Sequence, residues 1–351
     1  ELCLIRDRMG EKPLYYGWQG NTLVFASELR SFREYPGFDT QLDLDALSLY
    51  LRFGYIPGPH SIFQGVHKLP PGTILRIPAN HGPSPSAVSR AGAAKDSQHS
   101  PTPYWSVKEA ANRGLGDRIV DEDLAVVELE ELLCEAIRGQ LVAEVPLGAF
   151  LSGGVDSSTV VALMCCESRN PVRTFTIGFD ESDYNEAEHA KCVARHLGTD
   201  HTELYLTARD ALDVVPQLPD VYDEPFADSS QIPSILVARM ARRHVTVALS
   251  GDGGDELFCG YNRYMWTKRL WAALKIIPEP MRLAVGKFLL SVSPSKIESM
   301  LSWSKMSFLS AQLLGSGKSG SRLHKLGAAM GSKDAQGLYE SLISYWKNPD
   351  A

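Results

Sequence analysis

The sequence predicts an α/β protein whose larger part is a doubly wound parallel sheet, preceded by a smaller β-rich domain. Beyond residue 104, buried strand patterns alternate with amphipathic helix patterns, which is typical of parallel sheets with helices on both faces. The first 78 residues instead show short strand patterns separated by tight turns. A segment rich in Pro, Ser, Ala and Gly separates the two regions.

The elements of the first region are short. We predict a hairpin turn at residues 19–21, where Gln-Gly-Asn separates two strand patterns, and we predict that Asp43 is the N-cap of a helix. The predicted strands are residues 2–7, 13–18, 22–26 and 73–77, and the predicted helix is residues 44–53.

The second region follows an alternating order that ends in a stretch of helical character beyond Tyr264. Gly198 is expected to end one of its helices in the left-handed conformation. The predicted strands are residues 145–151, 172–179, 201–206 and 245–249. The predicted helices are residues 123–141, 157–168, 185–197 and 230–243.

Residues 79–103 are predicted to be a flexible linker. They contain almost no large apolar side chains, so they cannot bury enough surface to offset the entropy of ordering. The predicted domains are therefore residues 1–78 and 104–351, which agrees with the length of 351 residues.

Composition excludes several classes of function. Lys and Arg total 35 and Asp and Glu total 42, so the formal net charge is −7, and no basic face predicts a nucleic-acid partner. The six cysteines lack C-x-x-C spacing, which argues against zinc ribbons and favours a reduced, cytoplasmic setting. No uncharged apolar run approaches the ~20 residues of a membrane helix, so no membrane partner is expected.

Residues 152–158, SGGVDSS, carry the strongest functional signal, because they join a predicted buried strand to a predicted helix. The first N–H groups of a helix have no internal partners and favour an anion. Gly153 and Gly154 let the backbone approach an oxyanion, and Ser152 and Ser157 add hydroxyl donors. Asp156 would repel a bare phosphate, so its expected role is to hold Mg²⁺ against the phosphates.

Residues 250–256, SGDGGDE, form a second candidate ligand-binding loop, which follows the predicted strand at residues 245–249. Both loops leave the carboxyl edge of the predicted sheet, so they are expected to face one ligand. Asp255 can join Asp156 on Mg²⁺, which prefers oxygen ligands. Taken alone, this stretch is more often a solvated acidic turn, and only its place beside the first loop favours a functional role.

Two glycine-rich stretches match other phosphate-binding patterns less well. Residues 315–319, GSGKS, have Gln312 where a Walker A loop requires its first glycine, so a loop between helices is predicted there. Residues 251–254, GDGG, have Glu256 in place of the third glycine of a dinucleotide-binding motif, so no such site is predicted.

Together with further strings, these loops resemble the asparagine synthetase (glutamine-hydrolysing) family of the ATP pyrophosphatase (PP-loop) superfamily. The resemblance covers nearly the whole chain apart from the linker, and it joins the end of an Ntn-type glutaminase domain to a synthetase domain of adenine nucleotide α hydrolase-like fold. The matching strings are RDRMGEKPLYY (6–16), FASE (25–28), KLPPG (68–72), LSGGVDSS (151–158), TFTIGF (174–179) and LSGDGGDELFCGY (249–261).

The resemblance implies a role for each matching site residue. Asp252 would serve the adenylation step, Glu224 would lie in a loop facing the amino-acid substrate, and Asp156 and Asp255 would hold Mg²⁺. The implied ATP-binding residues are Leu151, Ser152, Gly153, Gly154, Asp156, Ser157, Ile177, Ser250 and Gly251, with Ile177 at the adenine.

The implied reaction is glutamine-dependent asparagine synthesis by a carbon–nitrogen ligase. The aspartate side-chain carboxylate would attack the α-phosphate of ATP and release pyrophosphate. Ammonia from glutamine would then displace AMP, a far better leaving group than oxide. The implied partners are small molecules, namely aspartate, glutamine or ammonia, and ATP. A homodimer is the assembly that we expect.

Two parts of the family pattern have no counterpart in this sequence. The family's glutaminase nucleophile is an N-terminal Cys, whereas this chain begins at Glu1, and the family's catalytic Lys would follow Ala351. We therefore expect a fragment that is inactive alone. Cys3 lies in a predicted strand and is expected to be a core residue. Cys259 stands where relatives often have Gly.

Three other functions fit parts of the pattern. A β-lactam synthetase-like enzyme would adenylate another carboxylate, and an amidotransferase that modifies a polymer or peptide would share the same chemistry. A module that only holds a nucleotide is disfavoured by Asp156, Asp252 and Asp255, which it would not need.

Overall fold

Two antiparallel sheets organise the beginning of the chain. The computed structural model describes residues 1–78, 100–179, 186–293 and 326–346. The strands here are β1 (Leu2–Ile5), β2 (Tyr15–Gln19), β3 (Thr22–Ala26), β4 (Val66–Lys68), β5 (Thr73–Ile77) and β6 (Thr102–Pro103), and the helices are α1 (Arg30–Arg33) and α2 (Leu44–Phe53). The strand orders are β1–β5–β6 and β3–β2–β4.

Local signals in the sequence account for three of these boundaries. Gly20 adopts a φ of 58° in the predicted turn between β2 and β3, a conformation that glycine tolerates without a Cβ clash. Asp43 accepts hydrogen bonds from the N–H groups of Asp45 and Ala46, so it is the N-cap of α2 as predicted. Gly54 ends α2 with a φ of 80°.

The expectation that Cys3 is a core residue is wrong, since its side chain is exposed. Successive side chains of a strand point to opposite faces, and in β1 it is Leu4, 5% exposed, that enters the core. All six cysteines of the chain are free.

A four-stranded parallel sheet forms the framework of the second region. Its strands are β7 (Leu147–Phe150), β8 (Arg173–Phe179), β9 (Asp200–Leu206) and β10 (Val247–Leu249), in the order β10–β7–β8–β9. The helices that accompany it are α3 (Val107–Gly116), α4 (Glu122–Gln140), α5 (Val155–Glu167), α6 (Ala187–Leu197), α7 (Ala208–Val214), α8 (Leu218–Val221) and α9 (Gln231–Ala241). A 3₁₀ turn, Val215–Gln217, joins α7 to α8.

Helices cover both faces of this sheet, which confirms the predicted parallel α/β architecture. On one face, Ala149 and Leu151 are buried in a cluster with apolar side chains of α4, α5 and α6. On the other face, Met240 and Ala241 of α9 pack against Phe175. Alternate residues of a buried strand serve opposite cores, which explains the nearly continuous apolar runs that predicted these strands.

A second compact unit spans Gly253–Ala351, apart from the unit Glu1–Asp252 that contains all three sheets. Its described helices agree with the helical character predicted beyond Tyr264. They are α10 (Gly254–Phe258), α11 (Asn262–Leu274), α12 (Glu279–Ser291) and α13 (Ala335–Ile343). Leu274, Ala329 and Leu338 form its buried cluster.

Most of the predicted linker and the GSGKS stretch lie outside the described residues. At the end of the predicted linker, Thr102 pairs with Ile74 and Pro103 with Thr73, so this part is a short strand. In the part of the chain that the structure describes, no helix is long and apolar enough to cross a membrane.

The cap of α2 gives a first prediction. Asp43→Ala should lower the free energy of unfolding by about 1 kcal/mol, because two N–H groups of the first turn lose their acceptor. Asp43→Asn should keep nearly all of the stability, since an amide oxygen accepts the same bonds. Urea unfolding followed by circular dichroism measures both, and equal losses in the two variants would show that charge rather than capping matters here.

Candidate active site

The loop after β7 owes its shape to Gly153. This residue adopts a φ of 81°, and a Cβ on it would lie 2.7 Å from the backbone nitrogen of Ala190 and 2.8 Å from the carbonyl carbon of His189. Only glycine therefore lets α6 pack so closely onto the loop. Leu151, which precedes the loop, is anchored to β8, since its N–H donates to the Phe175 carbonyl and its own carbonyl accepts a bond from the Thr176 hydroxyl.

Two serine hydroxyls hold the loop closed. The oxygens of Ser152 and Ser157 are 2.9 Å apart, and the Ser152 N–H donates to the Ser157 hydroxyl at 3.2 Å. The Gly154 N–H donates to the Ser152 hydroxyl at 3.2 Å. These side chains, which the sequence analysis treated as ligand donors, thus also set the geometry of the loop before any ligand binds.

The start of α5 has the features of an anion site. Its N-cap is Gly154, which has no side chain, and within the described residues no side chain caps the helix. The first-turn N–H groups therefore lack the partner that Ser, Thr or Asp supplies at most helix starts. Val155 is 82% exposed, so this end of the helix is open to solvent. A phosphate group is the ligand that such an arrangement favours.

Ser158, which ends the SGGVDSS string, carries an unsatisfied polar atom near the loop. Its hydroxyl oxygen is shielded from solvent and has no hydrogen-bond partner among the described residues. Buried hydroxyls are almost always paired in folded proteins, so an unpaired one is unusual. Because solvent does not reach this oxygen, a ligand bound at the loop surface would not reach it either.

The structure brings the second loop against the first. Because β10 pairs with β7 in parallel, both loops leave the same edge of the sheet. A Cβ on Gly251 would lie 2.7 Å from the backbone nitrogen of Ser157 and 3.1 Å from the carbonyl carbon of Asp156. The glycine therefore serves contact between the loops, where the sequence analysis expected contact with a nucleotide.

Two acidic residues of the second loop, Asp252 and Asp255, lie in different surroundings. Asp252 is exposed and accepts a hydrogen bond from the Ser250 hydroxyl at 3.0 Å, while the Asp252 N–H lies 3.4 Å from that hydroxyl. Asp255 belongs to the first turn of α10, in the second compact unit, where its carboxylate folds over Gly260. The site roles assigned to these two residues stay predictions.

The conformation of Cys259 explains why glycine suits its position. Cys259 is the C-cap of α10 with a φ of 59°, in the left-handed region that favours glycine. The end of α10 therefore explains why relatives often have glycine at this position, and no contact between the backbone and a ligand is needed to explain it.

Ile177, for which the resemblance implies an adenine contact, lies in β8. It follows Thr176, whose hydroxyl binds the Leu151 carbonyl, so Ile177 is close in sequence to the anchor of the first loop. Its side chain is half-buried. Next to it, Gly178 is buried under the Tyr205 ring, 2.7 Å from where a Cβ would lie. The strand is thus packed tightly just beside the candidate adenine position.

Glu224 is engaged elsewhere. One carboxylate oxygen accepts a hydrogen bond from the Ile62 N–H at 2.8 Å, and the other lies 2.5 Å from the Lys68 ammonium. Its side chain is only 11% exposed. The resemblance had implied that Glu224 lies in a loop facing the amino-acid substrate. In this structure its carboxylate is instead engaged by Lys68 and Ile62 and is not free to bind a substrate. Lys68, its partner, begins the KLPPG string, but no pattern in the sequence pairs it with Glu224.

Comparison with protein families points to the same regions. A family described as asparagine synthase matches residues 128–349, which include both loops. A family described as a glutamine amidotransferase domain matches residues 1–85, which include the two antiparallel sheets except β6.

Individual relatives show how much of a longer chain is present. A provisionally named asparagine synthetase (glutamine-hydrolysing) 2 of Methanocaldococcus jannaschii is 35% identical over 80% of this chain and 51% of its own. Asparagine synthetase (glutamine-hydrolysing) 1 of Bacillus subtilis is 32% identical over 74% of this chain and 37% of its own. The chain thus spans about half or less of these relatives. An NH3-dependent NAD synthetase structure from Campylobacter jejuni aligns with 38% of the chain at 14% identity and a TM-score of 0.29, which is too low to bear on the fold.

The contact between the loops gives a second prediction. In Gly251→Ala the new methyl meets the Ser157 backbone at 2.7 Å, and overpacking of this kind costs ~1–3 kcal/mol. The loops must separate, so we expect affinity for ATP, measured by equilibrium dialysis, to fall at least about tenfold. Gly139→Ala is the control, because nothing lies within 4 Å of its Cβ position in α4. Unchanged affinity in Gly251→Ala would contradict a nucleotide site at this contact.

Proposed function

Because this chain belongs to the asparagine synthase family, we propose that the protein containing it makes asparagine from aspartate, with ATP as the energy source and glutamine as the nitrogen donor. The observation that supports this most is the uncapped start of α5 behind the SGGVDSS loop, with Gly251 of the second loop packed against it. A preformed phosphate site at the carboxyl edge of a parallel sheet is what an ATP-cleaving ligase needs.

We propose that ATP binds along the first loop with its phosphates at the N-terminal end of α5. Residues 151–157, together with Ser250 and Gly251, would bind ATP, with the phosphates at the first-turn N–H groups of α5. Ile177 would contact the adenine. This placement is supported by the contact between the two loops and by the open first turn of α5.

We propose that the aspartate side-chain carboxylate attacks the α-phosphate and that Asp252 serves this step. A carboxylate resists ammonia because its leaving group would be oxide, whereas AMP leaves readily from an acyl-adenylate. The protein's own residues contribute by holding the reactants in line and by stabilising the negative charge that moves onto pyrophosphate. The N–H groups at the start of α5, which no side chain caps, would serve the second task.

We propose that Asp156 and Asp255 hold Mg²⁺ together with the phosphates of ATP. No cluster of three or more His, Cys, Asp or Glu side chains stands ready for a metal among the residues that the structure describes. Magnesium bound with nucleotides uses one or two carboxylates, phosphate oxygens and waters, so two aspartates fit this donor set. When bound, Mg²⁺ would neutralise charge on the departing pyrophosphate.

We propose that residues 1–78 belong to the glutaminase domain, of Ntn type, which supplies ammonia, and that residues 104–351 belong to the synthetase domain. The match of residues 1–85 to a glutamine amidotransferase domain supports this division. The linker apart from its end at Thr102–Pro103, the cytoplasmic setting and the homodimer stay predictions. No observation favours another carboxylate substrate over aspartate.

A third prediction tests adenylation in the complete protein. Exchange of labelled pyrophosphate into ATP should require aspartate, and Asp156→Asn should lower its rate at least about a hundredfold, because the metal loses a carboxylate ligand. Asp213→Asn, on the exposed side of α7, should exchange like the unaltered protein. Exchange that needs a different carboxylic acid would keep the chemistry and overturn the choice of aspartate.

A further inference from the structure

The segment 223–227, here called the docking segment, lies between α8 and α9 but contacts the amidotransferase part of the chain. The Ala227 N–H donates to the carbonyl of Gly54 at 2.8 Å, directly after α2. Asp223 and Glu224 reach residues more than 150 positions earlier in the sequence. Loops normally bond to nearby residues or to water, so this number of distant contacts needs an explanation.

Glu224 and Lys68 form a largely buried ion pair among these contacts. Their side chains are 11% and 17% exposed, and the ammonium also donates to the Ile56 carbonyl at 2.5 Å. With the Ile62 N–H on the second oxygen of Glu224, both charges keep further hydrogen bonds. A buried ion pair without such bonds would cost more in desolvation than it gains, and its main benefit is a defined geometry.

Asp223 makes an equally specific contact. Its carboxylate accepts from the Leu29 N–H at 2.6 Å and from the Arg30 N–H at 3.2 Å, at the start of α1. The Arg30 guanidinium in turn donates to the Asp220 carbonyl at 3.2 Å. Leu29 and Phe32 are fully buried, so α1 is anchored in its own core. Asp223 is thereby bound to a rigid part of the amidotransferase region.

The phenol of Tyr15 lies within electrostatic range of both acids of the docking segment, Glu224 and Asp223. Burial raises the pKa of this phenol, and the carboxylates of Glu224 and Asp223 raise it further. The Lys68 ammonium lies 6.0 Å from the centre of the same ring. Tyr15 and Lys68 of the amidotransferase part are therefore close enough to the acids of the docking segment for their charges to interact.

The other end of the docking segment leads to the candidate active site. Residues 228–230 connect it to α9, which packs on β8 through Met240 and Ala241. A helix between parallel strands runs antiparallel to them, so the start of α9 lies at the carboxyl edge of the sheet. The docking segment therefore joins the amidotransferase part to the edge that carries both loops.

We propose that Lys68, Glu224 and Asp223 are positioning residues that hold the amidotransferase part in register with the carboxyl edge of the sheet, so that ammonia released from glutamine is used there for amide formation. This inference rests on the proposed function, because it concerns the transfer of nitrogen between the two parts. It also assigns Glu224 to docking and not to the binding of the amino-acid substrate.

A neutralised pair tests the inference in the complete protein. The Lys68→Met, Glu224→Gln double variant removes both charges without leaving one unpaired, and the amide can still accept the Ile62 N–H. We expect glutamine hydrolysed per asparagine formed to rise at least about fivefold, while ammonia-dependent synthesis stays within about twofold. A ratio within about twofold of the unaltered protein would overturn the proposal, as would a parallel loss of ammonia-dependent synthesis.

The matched control is the Arg138→Met, Glu167→Gln double variant. This pair links α4 to α5 through bonds of 2.8 and 2.9 Å, but the Arg138 side chain is 65% exposed and both residues lie in the synthetase part. Its ratio should not change. Should the Lys68 and Glu224 variant fail to fold, Asp223→Asn replaces it with the same criteria, since it weakens the α1 contact and keeps the side-chain shape.

Hydrogen exchange without substrates separates this inference from the proposed function. In the neutralised variant, the amides of residues 54–69 and 223–231 should lose protection together, whereas an independent docking segment would leave residues 54–69 unchanged. If the unaltered protein makes no asparagine, the proposed function fails, and joint or separate loss of protection still decides whether the segment docks through this pair.

Discussion

The candidate site depends on one constraint, the absence of Cβ atoms where backbone meets backbone at the carboxyl edge of the parallel sheet. Gly153 lets α6 approach the first loop, Gly154 leaves the start of α5 without a side-chain cap, and Gly251 lets the second loop touch Ser157. At Gly153 and at Gly251 the nearest backbone atom lies 2.7 Å from the Cβ position, so a methyl group there would have to displace backbone. The uncapped N–H groups follow from the missing side chain of Gly154, and they make the site suited to phosphate.

The two parts of the chain divide the chemistry that we propose. The synthetase part would activate a carboxylate by making AMP its leaving group, which requires little beyond placement and stabilisation of charge. The amidotransferase part would supply the nitrogen. Such a division works only if the two parts keep a fixed geometry, and the buried pair of Lys68 and Glu224 with the Asp223 contact to α1 supplies one. A polar contact that is fully hydrogen-bonded specifies a geometry better than an apolar surface does.

Long periodic elements and short-range signals could be predicted from the sequence. The strand Thr73–Ile77, the helix Leu44–Phe53 with its Asp43 cap and the end of α6 at Gly198 lie where their residues indicate. Short elements could not, because β4 and α1 have three and four residues and are held by tertiary contacts. Cys3 was misjudged because the face of an edge strand depends on which neighbour enters the core.

The site could be predicted to the level of its loops but not of its contacts. Both loops were predicted at one edge because the strands before them were predicted to be parallel, and the structure brings Gly251 to Ser157. The sequence could not show that Ser152 and Ser157 bond to each other, nor that Glu224 faces Lys68, because these contacts join positions that no local pattern relates. The KLPPG string draws attention to Lys68, but it does not show that Lys68 contacts Glu224.

Transfer of oxygen from substrate to nucleotide tests the central claim most directly. Aspartate labelled with oxygen-18 in its side-chain carboxylate would be supplied to the complete protein with ATP and glutamine, and the products examined by mass spectrometry. An acyl-adenylate at the SGGVDSS loop predicts one labelled oxygen in AMP for each asparagine formed, and none in pyrophosphate. Label in inorganic phosphate with ADP as the other product, or unlabelled AMP, would contradict the account.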